Sequence, residues 1–357
     1  MATPTLYQWM DESAPNPTRA NANYNSAVNF LDILRACLVD GYGSKPGAGW
    51  TLENWDMTPE KERAAFGNGN GIIEVISTST GSVTYVIHES VSQYGVGNAY
   101  HDGADPACHS IGVGSRTDYN ADFTPDNTNQ SLQTYVAYLT NASINQVDLT
   151  STYGWRLVAT DKTFIFWLLT NPDSSSLNLP NTYMHLYAGA VHNVHQPRDA
   201  VGNFVVMAQN YTNRNNYISG SGANSVNLVW LLALTNPFGD ALQSTDQMAM
   251  SARNCSQSMF SPHNAYIPHT PCYLYYKGAA NPDPSNFSYF FGKACGWRQC
   301  VQTTSYDAIH YYAYERLGIQ NEGQPILNLD GYDVLCVNLQ SNSTRGYFVS
   351  MNPADWV

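Results

Sequence analysis

Charge is the scarcest commodity in this sequence. Only 12% of its 357 residues are Asp, Glu, Lys or Arg, about half the share of an ordinary soluble chain. The 16 basic residues are too few to wrap a phosphate backbone, so nucleic acid is not an expected partner. Long apolar runs are missing too. The longest, at 164–169 and 228–234, have strand length and fall far short of the roughly eighteen residues of a membrane span. The start, Met1-Ala2-Thr3-Pro4-Thr5, carries neither the basic patch nor the apolar run of a secretory signal. These absences predict a chain made in a cytosol, with no membrane partner. Enzyme signatures are equally thin. There is no Gly-x-Ser-x-Gly elbow, no phosphate loop ending in Gly-Lys-Ser/Thr and no dinucleotide-type glycine fingerprint. The expectation is a non-enzymatic protein with no cofactor.

What is present is enough to fold. Hydrophobic residues make up 43% and aromatics 13% of the chain, which excludes a disordered polymer. The net charge of -12 gives a solubility margin. The polar surface has to come from Asn, Ser, Thr, Gln and the 25 tyrosines. Such a surface is covered by another protein at modest desolvation cost, and Tyr gives it rigid amphipathic contact area. The composition therefore suits a component of an assembly. Glycan recognition uses the same residue types and is the competing reading.

Two histidine groups could carry chemistry. His101, Asp102, Cys108 and His109 mix imidazole, carboxylate and thiol in one Gly- and Asp-rich loop, although Asp-Gly and Asp-Pro are turn chemistry first. A hydrolase of envelope polymers would work from that loop. His185, His192 and His195 lie within eleven residues, and a strand followed by a loop could gather their imidazoles around a metal. No acidic residue sits at zincin spacing to them. The seven cysteines, Cys37, Cys108, Cys255, Cys272, Cys295, Cys300 and Cys336, show no paired knuckle. They are expected to be buried free thiols acting as small hydrophobes. No metal is assigned.

The chain changes character along its length. Ala27, Phe30, Leu31, Leu34 and Leu38 recur at helical spacing and predict one amphipathic helix, capped by Asn25 or Ser26 and ended by Gly41 in the left-handed conformation. A loop rich in glycine follows, and Trp50 and Trp55 are anchors to fold it back onto the helix. After residue 67 the pattern turns to strands. Residues 72–77 and 83–88 read as one hairpin, 155–159 and 163–169 as a second around Asp161-Lys162, and 332–337 with 346–350 as a third. Residues 95–130 read as loop. The fold class expected is mainly β, with antiparallel sheets in a sandwich-like arrangement and a short N-terminal α-helix. Three regions are expected: 1–130 with the helix, loop and first hairpin, 131–250 as a central β region, and 251–357 as a Tyr- and Cys-rich β region.

One block is far more specific. The run Leu34-Arg35-Ala36-Cys37-Leu38-Val39-Asp40-Gly41-Tyr42-Gly43-Ser44-Lys45-Pro46-Gly47-Ala48-Gly49-Trp50-Thr51 resembles the "LxACLVxGYGSKPxAGWT" block of a family of tailed-bacteriophage virion proteins. Trp155-Arg156-Leu157-Val158-Ala159, followed by Asp161 and Phe164, resembles a later strand pair of that family. The resemblance spans about the first half of the chain. It implies a structural component of a phage particle, associated with the tail or baseplate, or alternatively a decoration protein of the capsid surface. The partners it implies are other virion proteins and copies of the same chain; host surface glycan stays a further candidate on the aromatic composition alone. The chain would be assembled in the bacterial cytoplasm and reside in the virion. No catalytic residue comes with the resemblance. Its loop, Cys37, Gly41, Tyr42, Gly43, Ser44, Lys45, Pro46, Gly49 and Trp50, is expected to act as a rigid folding or docking unit, with Lys45 solvated or facing an acidic partner.

Overall fold

The computed structural model of the chain describes residues 3–15, 26–57, 62–77, 82–88, 108–109, 118–119, 125–126, 135–138, 153–170, 182–193, 204–208, 230–233, 247–251, 269–277, 289–300, 326–329, 331–338 and 346–356. It opens with strand β1 (Thr5–Gln8), then helix α1 (Ser26–Arg35), which runs on into a π-helical turn, Ala36–Asp40. Four strands follow, β2 (Thr51–Asp56), β3 (Arg63–Gly67), β4 (Ile72–Ser77) and β5 (Ser82–His88). Short pieces come next: β6 (Cys108–His109), β7 (Asp118–Tyr119), β8 (Pro125–Asp126) and β9 (Tyr135–Tyr138). The central strands are β10 (Tyr153–Ala159), β11 (Thr163–Thr170), β12 (Thr182–Asn193), β13 (Phe204–Ala208), β14 (Trp230–Ala233) and β15 (Gln247–Ser251). The last are β16 (His269–Lys277), β17 (Tyr289–Cys300), β18 (Ile326–Leu329), β19 (Tyr332–Asn338) and β20 (Gly346–Ser350).

The strands build a twelve-stranded sheet curled into a half-barrel and a smaller six-stranded sheet, with β7 and β8 paired separately. Among the described residues every strand pairing is antiparallel, so the expected mainly β class with one short helix near the N-terminus holds. The path through the large sheet runs β1-β10-β11-β12-β17-β20-β19-β18, and β13 to β16 attach beside it. It draws strands from all three of the regions set out from the sequence. Strand β12 joins its two parts: it pairs with β11 and β13 up to Gly189 and Ala190, then with β17 from Val191 to Asn193.

All three expected hairpins are present. Ile73 faces Ile87, Val158 faces Ile165, and Leu335 faces Val349. Residues 154–159 of β10 and 164–167 of β11 are buried on both faces, the near-continuous apolar pattern of strands covered on two sides. The expected loop at 95–130 contains the short pieces β6, β7 and β8, with Cys108 and His109 pairing against His88 and Ile87.

The helical stripe is where periodicity placed it. Phe30, Leu31, Leu34 and Leu38 are buried, and so are Ile33 and Cys37. Phe30 meets Phe166 of β11 with ring centroids 5.0 Å apart. α1 also lies close to β4 and β5. The helix is thus a wedge between the two sheets, and its burial comes from tertiary packing more than from propensity. Its end differs from the expectation. Gly41 has φ 78 but ψ 171, a positive-φ extended conformation rather than a left-handed helical one. The reason is the π turn: the Gly41 N–H reaches the Ala36 carbonyl at 2.8 Å, one residue further back than an α-helix would allow.

Candidate functional site

The block singled out in the sequence forms a lock at the N-terminal edge of the large sheet. A helix ends with carbonyls that lack partners inside it. Here the returning loop supplies them, because Ala48 N donates to Cys37 O at 2.9 Å and Trp50 N to Leu38 O at 3.0 Å. Between these points the chain makes a tight turn, in which Tyr42 and Lys45 exchange both backbone hydrogen bonds at 2.9 Å. Gly41 starts that turn where a side chain would not fit: a Cβ there would lie 2.5 Å from Lys45 O.

The turn faces β1. Trp9 N donates to Trp155 O at 3.1 Å, so odd-numbered residues of this segment bond to β10 and the backbone groups of Leu6 and Gln8 point away from the sheet. An edge of that kind is a template for another strand. The loop occupies it. Lys45 Nζ donates to Leu6 O at 2.7 Å and to Asp11 Oδ2 at 2.5 Å. Gln8 N donates to Asp11 Oδ2 at 2.9 Å and to the Tyr42 hydroxyl oxygen at 3.2 Å. The Tyr42 hydroxyl donates to the same Asp11 oxygen at 2.8 Å. Tyr7, fully buried, closes the ring by donating to Pro46 O at 2.7 Å.

Electrostatics follow from this geometry. Burial on its own would raise the Asp11 carboxyl, but Lys45, the Tyr42 hydroxyl and the Gln8 N–H together hold it below its ordinary value. Burial pushes the Tyr7 and Tyr42 hydroxyls upward, with the neighbouring Cys37 adding to it. Burial likewise raises the Cys37 thiol well above its usual range, so it sits there as a neutral hydrophobe. Lys45 is therefore only partly exposed and is not free for an outside acid. Its acidic partner is Asp11, 34 residues away in the same chain.

The two tryptophans divide the task set for them. Trp55 does fold onto the helix, with the Arg35 guanidinium 4.9 Å from its ring centre. Trp50 instead crosses to the large sheet. It is buried against Phe164 and Phe204, and its indole N–H donates to Thr160 O at 2.9 Å. A second clasp lies beside it: Asn68 Nδ2 donates to Lys162 O at 2.6 Å and Lys162 Nζ to Asn68 O at 3.0 Å. These bonds tie the β3–β4 turn of the small sheet to the β10–β11 turn of the large one. Gly43, Ser44, Pro46 and Gly49 are exposed.

The remaining candidates separate. Of the first histidine group, His101 and Asp102 lie outside the described residues, while Cys108 and His109 sit in β6. Of the second group, His185 and His192 are both on β12. Seven residues of extended chain place them about 23 Å apart, so they cannot share one ion, and His195 lies outside the described residues. Among the described residues no three His, Cys, Asp or Glu side chains gather as metal ligands. Cys37, Cys272 and Cys295 are buried and free, as expected of them. No helix among the described residues is long and apolar enough to cross a membrane.

Sequence reasoning missed Asp11, Tyr7 and Thr160, the groups that give the loop its partners. Only the presence of charged Lys45 in an otherwise uncharged loop hinted that an acid had to meet it. The fold and the lock define an antiparallel β protein whose sheet edge is sealed by its own helix-and-loop unit. Compared with known proteins, the chain matches no family model, no curated protein and no solved structure.

Proposed function

We propose that this chain is a non-enzymatic structural component of a tailed-phage virion, associated with the tail or baseplate and acting through protein–protein contacts. The observation that carries the reading is the resemblance of residues 34–51 to the virion-protein block. The lock gives that block a physical sense. Gly41, Tyr42, Lys45 and Trp50 each serve a contact inside the chain, so the block reads as a fold-closing unit and its outer side is left for neighbours. Low charge supports the same reading, since a surface of Asn, Ser, Thr and Tyr is covered at small desolvation cost. Symmetric repetition multiplies modest contacts of that kind. The partners in this reading are other virion proteins and further copies of the chain, assembled in the bacterial cytoplasm.

Mass spectrometry of purified particles tests it. The chain is expected at a fixed copy number relative to the major shell or tail protein, and retained through a density gradient. Its absence from intact particles ends the proposal. Placement is read by labelling the chain in particle images: density at the tail end supports the tail or baseplate, and density over the shell supports the decoration alternative.

A further inference from the structure

Residues 5–11 are held as a bound peptide would be. They add one strand to the edge of β10 in the register Leu6 to Val158 and Gln8 to Arg156, the geometry of strand addition. Two aromatic anchors fill shaped sites. Tyr7 is buried, 5.8 Å from the Tyr42 ring centre, with its hydroxyl on Pro46 O. Trp9 lies flat on Gly154, where a Cβ would stand 2.7 Å from the indole, and the Arg156 guanidinium is 5.4 Å from its ring centre. The carboxylate of Asp11 then meets Lys45 and Tyr42. A slot that reads an aromatic, a second aromatic two residues on and an acid two further is selective for this segment.

We propose that the slot between β10 and the Tyr42–Lys45 turn is a strand-binding site, and that residues 5–11 of one copy of this chain fill the slot of a second copy when copies are concentrated. The side-chain partners of the segment on the turn lie at least 31 residues from it in sequence, so none depends on direct covalent continuation. β1 also ends the path of the large sheet, and its exchange breaks no other strand pairing. Contacts made within one chain and between two are the same, so the balance is set by concentration. A tethered segment competes at an effective concentration of about 1 mM, a level that subunits in a particle reach locally. The inference rests on the particle reading for that crowding alone.

A disulfide reporter decides it. Leu6 and Val158 face each other in a non-hydrogen-bonded pair, where Cα atoms stand about 4.5 Å apart, within disulfide reach. Full-length chains bearing Leu6→Cys alone and Val158→Cys alone are co-expressed, concentrated to about 1 mM and mildly oxidised. Exchange predicts a heterodimer at twice the chain mass on a non-reducing gel, containing the linked peptide pair that spans positions 6 and 158. The chain carrying both substitutions reports the register. If it closes its disulfide within one chain while the co-expressed single variants remain monomers, the proposal is overturned. Thr5→Cys with Ala159→Cys, the adjacent facing pair, is a second reporter read in the same way should the first fail to fold. Failure of exchange leaves the particle reading standing, and absence from particles leaves the gel result standing.

Discussion

Gly41→Ala is expected to be among the most damaging single-methyl additions in the chain, and a matched control separates the reasons. Gly41 has φ 78 and Gly331 has φ 84, so alanine is conformationally strained at both. Strain in such a region costs about 1–3 kcal/mol. The surroundings differ completely. A Cβ at Gly331 meets nothing within 4 Å, whereas at Gly41 it would lie 2.5 Å from Lys45 O, 2.9 Å from Gly47 N and 3.0 Å from Pro46 C. All three are backbone atoms of the lock, and relieving the overlap means lifting the turn off the helix end. Overpacking of that kind adds about 1–3 kcal/mol. It also endangers the paired bonds between Tyr42 and Lys45, worth about 1 kcal/mol each. Gly331→Ala should therefore cost about 1–2 kcal/mol and Gly41→Ala about 3–5 kcal/mol. Urea unfolding followed by tryptophan fluorescence measures both under identical conditions. Equal losses at the two positions would refute the steric part of the argument and with it the close seating of the turn.

Other predictions use the same contacts. The Asp11 carboxyl lies below its ordinary value when folded, so its contribution is complete above about pH 4 and is lost as pH falls through the lowered folded value. Acid unfolding should thus be steeper in the wild type than in Asp11→Asn, and identical curves would exclude the ion pair as a stabilising contact. Trp50→Phe retains an aromatic ring but removes the donor to Thr160 O, leaving a buried carbonyl short of a partner. A loss of about 1–3 kcal/mol is expected in urea melts, and an unchanged midpoint contradicts the assigned bond. Cys37, Cys272 and Cys295 are buried with thiols raised by burial, so peptide mapping after alkylation at neutral pH should find all three unmodified until denaturant is added.

Much of the fold could be read in advance because it rests on local periodicity. The stripe of Phe30, Leu31, Leu34 and Leu38 announced a helix with one buried face. The runs 72–77 and 83–88 announced a hairpin because two β-prone runs and the Thr80-Gly81 turn signal lie within one window. Other elements escaped for physical reasons. β1 is four residues long, too short for any period to register. β12 and β17 carry Gly189 and Gly296 at positive φ within their length, which interrupts the signal of a long strand. The pairing of Asp11 with Lys45 crosses 34 residues, and no local pattern links two such positions. The loop's importance was therefore visible in its unusual glycine spacing, while its task, sealing the edge of β1, depended on the tertiary fold.

Lys45 and Asp11 act on each other to close the sheet edge. A double-mutant cycle on unfolding free energy, with Lys45→Met, Asp11→Asn and the pair, measures it directly. Both side chains are partly shielded, at 29% and 13% exposure, so the coupling should be about 1–3 kcal/mol rather than the small value of an open surface pair. Additive losses, with coupling within about 0.3 kcal/mol of zero, would mean that the two side chains do not close the edge together.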